Sequence, residues 1–332
     1  MRFTKSLPNR ILSLTMCIFC LFSLVSFSSC SLAEEKIAIT LNDVEISNDV
    51  TAYFIDKAST SLGFDKGRKA IKDETVSLLS AYYKTNSLAH AHNIKLSIAE
   101  KVQVSERVNA TWSIYGTYYT KIGVTKETLT KVFTADAFRD RLILTYYGSG
   151  GTEAIADSRL YANFKTNYVV FQAITGYFTT SDLEGNTVRI PQNEIETLVL
   201  KFQNMKNMVN AGEQDMEGAA DYLSESGIQC SVQTVVLHKD DTSYPTGFFN
   251  KVQGADPRQA TVIASNDFIF LVLRGEVGMK SEYFTDKKVE IIKSIVGNSI
   301  DKIIDGAYTV EGDVSSSEFN SYYSLIKKVK EK

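Results

Sequence analysis

Four cysteines and three histidines are the residues of this chain best suited to nucleophilic or metal chemistry. Cys17 and Cys20 lie in an apolar N-terminal stretch and Cys30 closes it, which leaves Cys230 as the thiol of the chain's body. A catalytic thiol works as the thiolate and needs a base or cation beside it. No histidine lies near Cys230 in sequence, so it is a candidate nucleophile only through a partner brought in by the fold; an idle, part-buried thiol is the commoner state. His90 and His92 are two apart and cannot face one another on a helix, and His238 reads as a strand end. No metal site is expected. Phosphate-binding glycine loops, dinucleotide fingerprints and the Gly-x-Ser-x-Gly elbow are all missing, so no cofactor is expected. What remains is non-covalent chemistry. Phe248, Phe249, Phe268 and Phe270 are able to line an apolar peptide-binding pocket, with plain sheet packing as the competing role.

The elements that must hold these residues begin after an export-type leader. Arg2, Lys5 and Arg10 form a cationic start, and 11–27 is free of charge. That run is short for a membrane span and is interrupted by Ser and Thr. Two exits compete. Phe27-Ser28-Ser29-Cys30 resembles a bacterial lipobox, in which the cysteine is lipidated and becomes the new N-terminus; Ser31-Leu32-Ala33 suits ordinary signal cleavage. The first gives a lipoprotein anchored through Cys30, the second a secreted or periplasmic protein. In either case one thiol is left and no internal disulfide framework, so the core must hold the fold.

The 332 residues are 44% hydrophobic and 23% charged, with a formal charge of -3. That composition suits packed globular domains and excludes wholesale disorder. Without the leader's three cations the balance is 33 positive against 39 negative. Such a surface is a poor match for nucleic acid, and none is expected as a partner.

From Ile37 the chain alternates, turns at Asn42-Asp43, and resumes with Val44 and Ile46 before Ser47, a helix N-cap. Helices are expected over 46–62, 66–91, 98–119, from a cap at Thr125 through Tyr146, and over 152–164. In the third, Ile98, Val102, Val108, Trp112, Tyr115 and Tyr119 follow amphipathic spacing, which marks them as core. Tyr118 lies off that stripe and is the candidate exposed contact. From Asn167 the period changes to two. A strand over 168–178, a loop at 181–186, helices over 192–210 and 215–225, a strand over 231–238, a loop through Pro245, a short helix, and a closing hairpin over 261–274 follow. The fold class is α+β. Residues 281–304 read as an amphipathic helix, 310–314 as an added strand, and 318–330 as a basic helix. Lys327, Lys328, Lys330 and Lys332 there are able to meet anionic lipid, though a solvated end is more ordinary.

This order resembles the parvulin-type peptidyl-prolyl isomerase domain. The helix end Ala211-Gly212, followed by 215–224, is similar to that family's "aG.dF.elA.eyS" segment, and 265–273 to its last strand. Residues 37–46 and Gly123-Val124-Thr125-Lys126-Glu127 resemble the opening and a helix start of SurA- and PrsA-type foldases. The resemblance implies four segments: a leader (1–30), a SurA-N-like helical chaperone domain (31–165), a small parvulin-like antiparallel-sheet domain (166–276), and a C-terminal helix and tail (277–332) that completes the helical domain. It implies unfolded or exported polypeptides as partners. The family carries a histidine on its first and last strands. Here Phe171 or a neighbour stands near the first position and Ile269 near the second, and Cys230 stands near the third polar position. The isomerase centre is therefore expected to be degenerate. An active isomerase and a non-catalytic structural or solute-binding lipoprotein are the alternatives.

Overall fold

The computed structural model describes residues 37–41, 44–228, 230–310, 312 and 314–331. The leader and Cys30 lie outside the described residues. The chain divides into two compact units. One joins the residues up to Arg139 with Ile303–Lys332; the other is Asp140–Lys302. Among the described residues no helix is long and apolar enough to cross a membrane.

The first unit opens with an antiparallel hairpin, β1 (Ile37–Leu41) and β2 (Val44–Ser47). Helices α1 (Asn48–Leu62), α2 (Gly67–Ala91) and α3 (Ile98–Lys121) follow, with a 3-10 turn at Phe64–Lys66, and then α4 (Lys126–Tyr147), which from Asp140 belongs to the second unit. The starts of α3 and α4 are written in the sequence. At α3, Ser97 Oγ accepts the Glu100 amide at 3.3 Å while the Glu100 carboxylate accepts the Ser97 amide at 2.7 Å, a full capping box. At α4, Thr125 Oγ1 accepts the Thr128 amide at 3.1 Å. The Thr128 hydroxyl in turn donates to Asp49 near the start of α1. Burial pushes the Asp49 carboxyl upward, but the hydroxyls of Ser47 and Thr128 and the Val50 amide outweigh it and hold the group below its ordinary range.

The core of this unit draws Ile55, Ile71, Leu79, Ile122 and Leu129 together with Phe319, Tyr323 and Ile326 of α11 (Ser316–Lys330). Helix α11 packs on α1, so the two ends of the described chain close one core. Arg68 of α2 donates to Asn320 at 3.2 Å and lies 4.9 Å from the Tyr323 ring centroid. The α3 stripe is buried only in part. Val108 is buried, whereas Ile98, at the helix start, is 83% exposed, and Tyr115 is 52% exposed. Tyr118, expected to be exposed, is half-buried and donates to Asp56 at 2.5 Å.

In the second unit, α5 (Asp157–Asn167) leads into a four-stranded antiparallel sheet of order β6-β3-β8-β7, with β3 (Tyr168–Tyr177), β6 (Gln233–His238), β7 (Thr261–Ala264) and β8 (Phe268–Arg274). Between β3 and β6 come α6 (Gln192–Ala211) and α7 (Met216–Glu225); α8 (Phe248–Gln253) precedes β7. The segment expected as a loop at 181–186 is the turn of a small hairpin, β4 (Thr179–Ser181) with β5 (Thr187–Arg189). Strands of three residues are too short to show an alternation.

The stretch expected as one helix over 281–304 is two, α9 (Glu282–Val296) and α10 (Ser299–Ala307). Gly297, at φ 55°, breaks it in a conformation that side chains resist. Helix α9 belongs to the second unit, where Phe284 sits 5.5 Å from Tyr161 and 5.7 Å from Phe164 of α5 between ring centroids. From Ile303 on, the tail belongs with the front helices. No strand forms at the described positions of 310–314.

Candidate functional site

The period-two pattern of β3 sends alternate residues to opposite faces of the sheet. Ile174 faces α6 and α7, in a cluster with Phe202, Leu198, Leu223, Ile269 and Leu271. Gly176 is required on that side: a Cβ there would meet Ile269 Cγ2 and Phe202 Cε2, each at 2.9 Å. Val169, Phe171 and Ala173 face the other way, with Leu237, Phe270, Val272 and the α8 residues Phe248 and Val252.

That second face carries the candidate site. Helix α8 is set on it by local chemistry. The Asp241 carboxylate accepts the Ser243 amide at 2.8 Å and its hydroxyl at 2.6 Å, the Phe248 amide donates to the Pro245 carbonyl at 2.9 Å, and Gly247 supplies φ 77° at the N-cap. At the far end, Arg274 Nη1 donates to the carbonyls of Gln253 (2.6 Å) and Ala255 (3.1 Å). Phe248 thereby reaches Phe270, Tyr244 and Phe171, with ring centroids at 4.8, 4.8 and 5.7 Å. The aromatic row continues outward from Phe270 to Phe268 (5.9 Å) and from Phe268 to Tyr177 (5.5 Å). Phe248 and Phe270 are buried, Phe249 and Phe268 are partly exposed, and Tyr177 is 55% exposed. Burial, reinforced by Asp241, pushes the Tyr244 phenol above its ordinary range, so it remains a donor.

The four phenylalanines singled out in sequence thus lie on or beside one aromatic face, while Tyr118 belongs to the other unit. Ile269 packs on the α6–α7 side, whereas Phe268, Phe270 and Val272 of β8 share the face of Phe171. A one-residue step along a strand exchanges faces, and the position cannot be fixed without the pairing register. The His238 ring lies against Tyr168 at 4.8 Å, at the end of β6. The Cys230 thiol, half-buried, contacts the Ala220 carbonyl at 3.5 Å and Ser224 Oγ at 3.8 Å. Burial raises its pKa, the Asp221 charge adds to this, and the Ser224 hydrogen bond opposes it. A protonated thiol is a poor nucleophile. Among the described residues no group of three or more His, Cys, Asp or Glu is placed to hold a metal ion.

No protein-family profile matches the chain, and no curated protein matches it in sequence. Solved structures are similar at low identity. The foldase protein PrsA of Streptococcus pneumoniae is 13% identical over 79% of this chain and 94% of its own, at a TM-score of 0.37. PrsA of Lactococcus lactis is 15% identical over 88% and 99%, at 0.36. A structure reported with two SurA-like chaperones of Campylobacter jejuni is 11% identical over 84% and 99%, at 0.28.

Proposed function

We propose that this chain is a foldase-like chaperone of the SurA/PrsA kind, acting outside the cytoplasm on unfolded or exported polypeptides through non-covalent contacts. The observation that carries this reading is the aromatic face of a β6-β3-β8-β7 sheet, in a chain whose helical unit is built from both of its ends. Residues 166–276 are the parvulin-like part. Its centre is degenerate: lowering the roughly 18–20 kcal/mol barrier to amide rotation needs a fixed polar environment for the twisted bond, and Phe171, Phe248 and Phe270, whose rings donate no hydrogen bond, fill most of this face beside the single phenol of Tyr244. Phe249, Phe268 and Tyr177 present the accessible apolar surface.

The mature chain should suppress aggregation of an unfolded client at near-equal molarity and give no acceleration in a proline-peptide isomerisation assay. Joint replacement of Phe249 and Phe268 by alanine should weaken binding of an apolar peptide about 5–10-fold, in line with loss of an aromatic anchor. Acceleration by the wild type that is lost on Cys230→Ala would make the protein an active isomerase. No effect on aggregation would favour a solute-binding or structural role.

Anchoring through lipid on Cys30 belongs to the same reading. Metabolic labelling with a fatty acid should mark the wild type and not Cys30→Ser. An unlabelled wild type with its N-terminus just after Ala33 would make it a secreted or periplasmic protein.

A further inference from the structure

A cavity of about 500 Å³ lies in the second unit, away from the exposed end of the aromatic row, where α5 meets the end of β8. Its wall includes Tyr161, Phe164, Lys165, Tyr168, Arg274 and Glu276. Phe164 and Tyr168 stack at 5.3 Å with an 11° angle between rings and give it a rigid apolar side. Lys288 nearby pairs with Asp157 at 3.0 Å, and Lys287 with Glu290 at 2.9 Å. The two cations of the cavity differ. Lys165 sits 5.1 Å over the Tyr161 ring and has no carboxylate partner among the described residues. Arg274 spends only Nη1, on the Gln253 and Ala255 carbonyls; the rest of its guanidinium makes no hydrogen bond among the described residues. Lys165 and Arg274 thus share this wall with one exposed carboxylate, Glu276, while Asp256 lies within electrostatic reach of Arg274.

We infer that this cavity binds a peptide carboxylate next to an apolar side chain. The pairing of an aromatic wall with Lys165, which has no carboxylate partner among the described residues, and with the part of the Arg274 guanidinium that makes no hydrogen bond suits that ligand: the side chain lies along Phe164 and Tyr168, and the carboxylate accepts charge-assisted hydrogen bonds from Lys165 and Arg274. The volume takes a short segment rather than a folded partner. This rests on the reading of the chain as a polypeptide binder, and gives that binder a second contact chemically unlike the aromatic face.

The test uses the mature chain and fluorescent peptides ending in Ala-Ala-Phe, as free acid and as amide, with an amidated peptide carrying an internal Asp-Phe and its Asn-Phe control. The expected result is about tenfold tighter binding of the free acid than of the amide, or of Asp-Phe than of Asn-Phe, weakening as salt rises. The pair showing the difference identifies the source of the carboxylate. Lys165→Gln should remove most of the difference and Lys165→Glu all of it. The Lys165 side chain is exposed and makes no hydrogen bond within the described protein, its place over the Tyr161 ring being a surface contact, so both variants should fold, which circular dichroism of the same samples checks. Equal affinity across both pairs, or a preference untouched by Lys165→Glu, overturns the inference. Aggregation suppression measured on the same samples separates the two ideas: suppression without carboxylate preference sinks only the cavity, and carboxylate preference without suppression sinks only the chaperone reading.

Discussion

Phe248→Ala should cost the sheet unit about 3–5 kcal/mol, the range for deleting a buried phenyl ring. The ring is 2% exposed and is held between Phe171, Phe270 and Tyr244. The neighbouring strand positions are themselves pinned by the β3–β8 register, so the hole has little room to collapse. The measurement is urea unfolding with hydrogen exchange at the β3 and β8 amides as the local probe, because two units need not unfold as one. A fall in the sheet unit's midpoint of about 1–2 M is expected. A loss below about 1 kcal/mol would show that the aromatic face is loosely packed, and would return Phe248 to the list of direct ligand contacts. The same argument explains why Phe249 and Phe268, not Phe248, are the informative positions for peptide binding.

The second large effect lies in the helical unit. Asp56 of α1 is 7% exposed and gathers three elements: its carboxylate accepts from Tyr118 of α3 at 2.5 Å and pairs with Lys330 of α11 at 2.8 Å. Lys330 also donates to the hydroxyls of Ser59 (3.1 Å) and Thr60 (2.5 Å). Lys330→Met should therefore cost about 2–3 kcal/mol, since it strips a buried carboxylate of its cation; the quarter-exposed ammonium keeps the figure below that of a fully buried pair. Tyr118→Phe removes one hydrogen bond and should cost about 1 kcal/mol. A double-mutant cycle between Lys330→Met and Asp56→Ala should give a coupling of at least about 1 kcal/mol. Additive effects would show that the ion pair contributes little and that α11 is held by Phe319, Tyr323 and Ile326 alone. Lys330 is in any case committed to this network, which leaves Lys327 and Lys328 as the cations of the basic helix free of it.

Long periodic elements were legible in the residues. Helices α2, α3, α6 and α7 and strands β3, β6 and β8 lie within a few residues of where spacing and caps place them, because each buries a stripe or face long enough to repeat. What spacing missed had local causes. The β4–β5 hairpin is too short to alternate, and its Asp182 side chain, accepting the Glu184 and Asn186 amides at 2.9 and 2.8 Å, made the turn more visible than the strands. Gly297 divided a stretch whose apolar period runs on across it. A stripe through Trp112, Tyr115 and Tyr119 predicts an exposed Tyr118, whereas the core-facing side is wide enough to take Tyr118 by giving its hydroxyl an acceptor in Asp56. The aromatic character of the candidate face was readable as composition, and alternation puts Phe268 and Phe270 on one side of β8. That this side is also the Phe171 side of β3 is set by inter-strand pairing, a long-range property that no local pattern carries.

The bond between Lys330 and the Asp56 carbonyl spans 274 positions. A nascent chain emerges N-terminus first, so α1 leaves the ribosome or a translocation pore long before α11 exists to cover it. The sheet unit is continuous over Asp140–Lys302 and is free to fold in the interval, as domains do during synthesis. The front helices must wait with part of their apolar surface open, and closing so long a loop is slow. The chain therefore passes through a stage in which it is itself an unfinished polypeptide with apolar surface exposed.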